Sequence, residues 1–193
     1  LSAAQRVRRE PKQKPGASEQ VVGTPPEFID AVERRFGLIG LDLAALSSNR
    51  VRRVPWYGPG SPEWEDAFAA PSWKAPGGQL SWLNPGFEDI ERWAARAKIE
   101  GEAGARIAML VPLSSSNWAR DYVHGHAKVE ALNPRLRFVG HKHLYPKDLM
   151  LVLFGVVYEV GFGVWQWKPP RVKRIGGRKI WTRERPALIE ATK

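Results

Sequence analysis

The chain has 193 residues with 30 Lys and Arg against 20 Asp and Glu, a formal net charge of +10; that length fits one compact core with additions and excludes a large multidomain enzyme. The charge is uneven, because residues 1–20 carry +3 and residues 168–193 carry +7, which leaves residues 21–167 neutral. The absence of cysteine excludes a disulfide framework, a thiolate zinc site and a cysteine nucleophile, and agrees with a reducing, intracellular setting. The expected organisation is a basic arm over 1–20, a neutral domain over 21–167 and a second basic arm over 168–193. The first arm has charges and no apolar run, so it reads as a solvated segment and not as a signal peptide.

In chain order, Thr24-Pro25-Pro26-Glu27 announces a helix: Thr24 can cap it, Pro25 takes its first position, and Glu27 completes a capping box. Phe28, Ile29, Val32 and Phe36 then fall on one helical face, and Gly37 ends the run. Leu38 to Leu43 reads as a short buried strand bringing Asp42 to the carboxyl edge of a sheet, where open α/β sheets bind ligands. Ser47 to Gly78 is rich in Pro, Gly and Trp and reads as an irregular excursion, with a helical turn near Glu63 to Phe68 and Trp56, Trp64 and Trp73 as anchors. Gln79 to Leu83 is a second strand; Ile90, Trp93, Ala94 and Ala97 line one face of a second helix ending between Gly101 and Gly104. Ile107 to Val111 is a continuous apolar run, as in a strand covered on both faces.

Beyond it, Asn117 to Val123 predicts a short helix, and Lys128 to Leu132 and Leu136 to Val139 predict short strands. Leu149 to Gly155 and Val156 to Trp165 predict a closing pair of strands. The stretch Leu149 to Trp165 contains Glu159 and three glycines and is shorter than the roughly 20 residues of a spanning helix, so no membrane partner is expected. Alternating strands and helices followed by late β pairing give an α/β fold: a mostly parallel sheet with antiparallel edge strands.

The chemistry is concentrated in Asn84-Pro85-Gly86-Phe87, between an apolar strand and a helix. At a ligand edge it presents an amide side chain, rigidly held carbonyls and an aromatic ring. Amide and carbonyl oxygens accept hydrogen bonds from an exocyclic amine, and the ring can stack on a planar base. Asn-Pro-Gly is also a common turn sequence, so the tetrapeptide by itself serves either purpose.

Several ordered motifs extend this reading: Thr24-Pro25-Pro26-Glu27, Leu41-Asp42-Leu43-Ala44-Ala45 followed by Asn49, Tyr57-Gly58-Pro59-Gly60-Ser61-Pro62 with Glu65-Asp66-Ala67, and Trp82-Leu83-Asn84-Pro85. Further on come Gly104-Ala105-Arg106-Ile107-Ala108-Met109-Leu110-Val111-Pro112, Arg135-Leu136-Arg137-Phe138 and Pro146-Lys147-Asp148. From about Thr24 to Trp167 the chain resembles the phage-type DNA N-6-adenine methyltransferase (Dam) family. The resemblance implies a Rossmann-like domain, S-adenosyl-L-methionine as cofactor, DNA as partner, and a bacterial host cytoplasm as the setting. It also implies methylation of the N6 amine of a flipped adenine. Carried over by position, Asn84 and the Pro85 carbonyl would accept from that amine, Phe87 would stack on the base, and Gly86 completes the catalytic segment. Thr24, Pro25, Asp42, Ala44 and Asn49 would lie on the cofactor side. A cap role for Thr24 and for Asp42 stays open beside ligand contact. The family places a second proline where this chain has Gly86; glycine frees the backbone there, so a weakened enzyme is expected. Two other outcomes stand beside it: a catalytically impaired DNA-binding pseudo-methyltransferase, and a methyltransferase acting on RNA or a protein amide.

An enzyme acting on DNA needs cations for phosphates. In the domain the candidates are Lys128, Arg135, Arg137, Lys142 and Lys147. In the C-terminal arm they are Arg171, Lys173, Arg174, Arg178 and Lys179, with Trp181 as a stacking or wedge side chain. The arm can equally be a solvated tail, or a β-hairpin about Gly176-Gly177. The pairs His124/His126 and His141/His143 have strand spacing for a metal, but no carboxylates converge near them, and no metal is expected.

Overall fold

The computed structural model describes residues 22–169 and two further short strands at 173–175 and 178–180. Helix α1 spans Pro26–Phe36, with Phe28, Ile29, Val32 and Phe36 buried as the spacing predicts. The expected capping box does not form. Pro25 occupies the N-cap position and Pro26 follows, without any side-chain cap. Pro26 brings no N–H, and the Phe28 N–H bonds the Pro25 carbonyl at 2.9 Å, so little remains for a threonine cap to satisfy. Gly37, at φ 108°, ends the helix with a left-handed turn that favours glycine.

Six strands form one sheet in the order β1-β2-β3-β5-β4-β6: β1 Ile39–Asp42, β2 Leu80–Leu83, β3 Ile107–Pro112, β4 Lys128–Asn133, β5 Leu149–Phe154 and β6 Gly161–Gln166. β1, β2 and β3 pair in parallel, β4 pairs in parallel with β6, and β5 runs against both of its neighbours β3 and β4. The fold is therefore α/β with a mostly parallel sheet. Its antiparallel strand is interior, not at an edge as expected, and β5 and β6 do not pair with each other. The sequences explain this: β5 (LMLVLF) is buried at every position and suits a strand covered on both faces, whereas β6 (GFGVWQ) is largely exposed and takes the edge. Leu136 to Val139 is not a strand; it lies in a loop, although Leu136 and Phe138 are buried there.

Helix α2, Ile90–Glu102, buries Ala94 and Ala97 against one face of the sheet, alongside the fully buried Trp73. The short α3, Asn117–Tyr122, packs beside it. On the other face, Phe28 and Phe36 of α1 meet Trp82, Trp165 and Trp167. The excursion between β1 and β2 is tied down as expected at Trp56 and Trp73, but the third expected anchor, Trp64, is exposed and held through its backbone bridge to Tyr57; near Glu63 to Phe68 the chain makes only a turn over 67–69. Strands β7, Lys173–Ile175, and β8, Arg178–Ile180, pair antiparallel with each other.

Candidate active site

The five strands of common direction bring their carboxyl ends to one edge of the sheet. Asp42 closes β1, and Asn84 follows β2 by one residue; Asp42 stands in register with Trp82, so the two side chains issue from adjacent strand ends. The Asn84 side-chain N–H₂ donates to Thr24 Oγ1 at 3.4 Å, joining two segments separated by 60 positions. Neither Asn84 Oδ1 nor the Pro85 carbonyl accepts a hydrogen bond from a described residue. Two acceptors on consecutive residues are thus left without a described protein donor, and an amine with two protons could use both.

Phe87 is half-buried and meets Tyr145 edge-on, with ring centroids 6.2 Å apart; Tyr145 in turn packs at 5.5 Å against Phe138. Burial raises the Tyr145 phenol above its ordinary range. Sequence reasoning missed Tyr145 as a site residue. The only signal was an aromatic between Leu144 and Pro146 in a polar loop, and nothing in that string pointed back to Phe87. Gly86 adopts φ −60° and ψ 137°, inside the range a proline imposes.

On the neighbouring strand end, Asp42 is buried, and its carboxylate accepts the Val51 N–H at 2.8 Å and the Ala44 N–H at 3.4 Å. Desolvation dominates and pushes its pKa up to about 6, against the lowering effect of those two N–H groups. Asn49 Oδ1 accepts the Leu46 N–H at 2.8 Å. Asp42, Ala44 and Asn49 are therefore brought together, but through bonds that shape their own loop. Gly58 supports that loop from outside: its φ is 139°, and a Cβ there would collide with the Ala45 carbonyl. The groups at this strand end are a carboxylate, a hydroxyl and an amide, of which the Asp42 and Asn49 oxygens already accept backbone N–H groups. A carboxylate suits a sulfonium or ammonium charge, and the hydroxyl of Thr24 and the amide of Asn49 suit ribose and amino-acid groups.

Beyond Thr24 the carboxyl edge becomes basic. A cleft of about 670 Å³ is lined by Pro25, Glu27, Asn133, Pro134, Arg135, Arg137, Lys142, His143, Leu144, Gln166, Trp167, Lys168 and Pro169. A smaller one of about 490 Å³ shares Pro25, Arg137 and Lys142. Three of the expected phosphate contacts, Arg135, Arg137 and Lys142, therefore stand together one residue away from Thr24. Arg135 is bound to Asp148 at 2.7 Å and Lys168 to Glu27 at 3.4 Å, while Lys147 is exposed in the same loop. Lys128 is elsewhere. It opens β4 at the opposite edge of the sheet, 3.9 Å from Glu130, beside Arg35 and Arg106. Sequence distance alone does not show at which edge of the sheet a strand residue stands, so the string does not separate Lys128 from the other four cations.

Lys173, Arg174, Arg178 and Lys179 fall on β7 and β8, in the register Lys173↔Ile180 and Arg174↔Lys179; Arg171 and Trp181 lie outside the described residues. The histidine pairs are divided: His124 Nε2 is 3.0 Å from the Ser114 carbonyl, and His143 lines the basic cleft. Among the described residues no group of three or more His, Asp or Glu could hold a metal ion, and no helix is long and apolar enough to cross a membrane. Comparison with family models, with curated proteins and with solved structures gives no match to the chain.

Proposed function

We propose that the chain is a DNA adenine-N6 methyltransferase with a Rossmann-like domain, of the phage type its motifs resemble. The observation that carries this reading is the pair of unoccupied acceptors, Asn84 Oδ1 and the Pro85 carbonyl, at the end of a central parallel strand beside Phe87. In the orientation the Asn84 amide takes, its Nδ2 is turned to Thr24 Oγ1. With one N–H of the amide donated to Thr24, Oδ1 is left for the substrate amine.

S-Adenosyl-L-methionine supplies an electrophilic methyl group on a sulfonium when bound on the Asp42 side. The chain's own work is positional. Asn84 and Pro85 each take one proton of the exocyclic amine in a hydrogen bond, which directs the nitrogen lone pair toward the methyl carbon. Phe87 covers one face of the base. Such orientation can account for several kcal/mol of barrier lowering, and no strong base is needed if the proton leaves after the N–C bond forms. The basic cleft lined by Pro25, Arg135, Arg137 and Lys142 supports nucleic acid as the substrate class, because it gathers cations suited to phosphates, and Pro25 follows directly on Thr24, the partner of Asn84.

The proline-like backbone of Gly86 favours an active enzyme over an inactive relative that only binds DNA. Methylation-aware sequencing of DNA from cells expressing the protein tests the proposal. New N6-methyladenine that disappears with Asn84→Ala is the expected result; an unmodified genome overturns it.

A further inference from the structure

Strand β6 is the last strand of the sheet, paired with β4 on one side and with no described strand on the other. Its backbone polarity can be read from its ends: the Gly161 N–H donates to Ala127 and the Trp167 N–H to Asn133. Odd-numbered residues therefore face β4, and Phe162, Val164 and Gln166 turn their N–H and C=O groups outward. Edge strands ordinarily carry lysine, proline or another charge that discourages further pairing. Val160 to Gln166 has none of these. Phe162 and Val164 are 61% and 67% exposed on one face, and Val160 just before the strand is exposed as well.

We infer that this edge is a self-association surface, where β6 pairs antiparallel with β6 of a second copy about a two-fold axis at Gly163. In that register Phe162 of each copy lies opposite Val164 of the other, and these are the residues whose outward N–H and C=O groups can exchange hydrogen bonds. Each pair joins an aromatic to a β-branched side chain on the same face, a favourable cross-strand combination. On the other face Gly161 lies opposite Trp165, and Gly163 meets Gly163, so no side chain obstructs the approach. The match of the segment to its own reversed copy is what selects a second copy as the occupant. Apolar burial of Phe162, Val164 and Val160 from both copies then adds to the main-chain hydrogen bonds, the combination by which an added strand is held. The result is one continuous twelve-stranded sheet with closed two-fold symmetry.

Sedimentation equilibrium of the full chain should show a dimer, and Phe162→Lys with Val164→Lys should give a monomer with unchanged circular dichroism whose melting temperature no longer depends on protein concentration. A monomeric wild-type protein overturns the proposal, as does a dimer indifferent to both lysines. Because the chain has no cysteine, the Phe162→Cys, Val164→Cys double variant provides a register test that leaves the fold intact. Oxidation should produce intermolecular 162–164 disulfides, and a product dominated by 162–162 or 164–164 links overturns the register.

Discussion

Asn84 and Thr24 lie 60 positions apart, yet the amide of one donates to the hydroxyl of the other at 3.4 Å. The first residue of the ordered domain's opening motif thereby sets the orientation of the residue on which the proposed chemistry depends. Thr24→Val keeps the shape and removes the acceptor. Losing one net hydrogen bond of about 1 kcal/mol should lower single-turnover methyl transfer by roughly three- to tenfold with little change in melting temperature. Asn84→Ala removes an amine acceptor outright and should cost on the order of 100-fold. Equal effects of the two substitutions would show that Thr24 does more than orient.

Gly86→Pro should be tolerated, because φ −60° and ψ 137° already satisfy a proline and the Gly86 N–H has no described acceptor. Restricting the unfolded chain should raise stability by about 0.4–1 kcal/mol, and a stiffer Asn84-to-Phe87 segment should raise turnover. Thermal melts and a labelled methyl-transfer assay measure the two separately; a lower melting temperature or a lower rate contradicts the assignment.

Asp42 makes stability depend on pH in an uncommon direction for a carboxylate. Its pKa rises from 3.8 to about 6 on folding, so the fold prefers the protonated form. The contribution is fully present below pH 3.8, is lost as pH rises toward 6, and is absent above that. The shift corresponds to on the order of 3 kcal/mol. Denaturant titrations of wild type and Asp42→Asn from pH 4 to pH 7 should diverge in that window, with the wild type losing more stability than the variant; parallel curves would refute the buried, desolvated carboxylate.

Arg137→Gln and Lys142→Gln should each flatten the plot of log affinity for DNA against log salt by about 0.9, the value for one phosphate contact. Lys128→Gln should leave the slope unchanged, because Lys128 sits at the amino edge beside Glu130. A slope change with Lys128→Gln, or none with the other two, would move the nucleic-acid surface to the other edge.

Much of the fold was legible in the sequence where local pattern decides it. α1, α2 and the first three strands follow from helical spacing, proline and glycine punctuation and short apolar runs, and the sheet edge holding Asp42 and Asn84 follows from their order. What was not legible depends on distant partners. The place of β5 inside the sheet is fixed by its pairing with both β3 and β4, which no local window contains. The turning of Thr24 from a cap to a partner of Asn84, and the contact of Tyr145 with Phe87, likewise arise only after the chain has folded back. Lys128 and Lys142 look alike in the string and stand at opposite edges of the sheet.

The interior position of β5 also governs when the molecule can fold. The section β1-β2-β3 and the section β4-β6 are joined within the sheet by β5, which is made late in the chain, at Leu149–Phe154. A nascent chain stopped before Leu149 holds the proposed catalytic segment but exposes the open side of Ile107–Pro112, a strand buried along nearly its whole length in the finished protein. Such a fragment should aggregate or be held by chaperones and should be digested rapidly by protease, whereas one ending at Pro169 should resist. The proposed catalytic segment is thus synthesised well before the strand that secures the sheet around it.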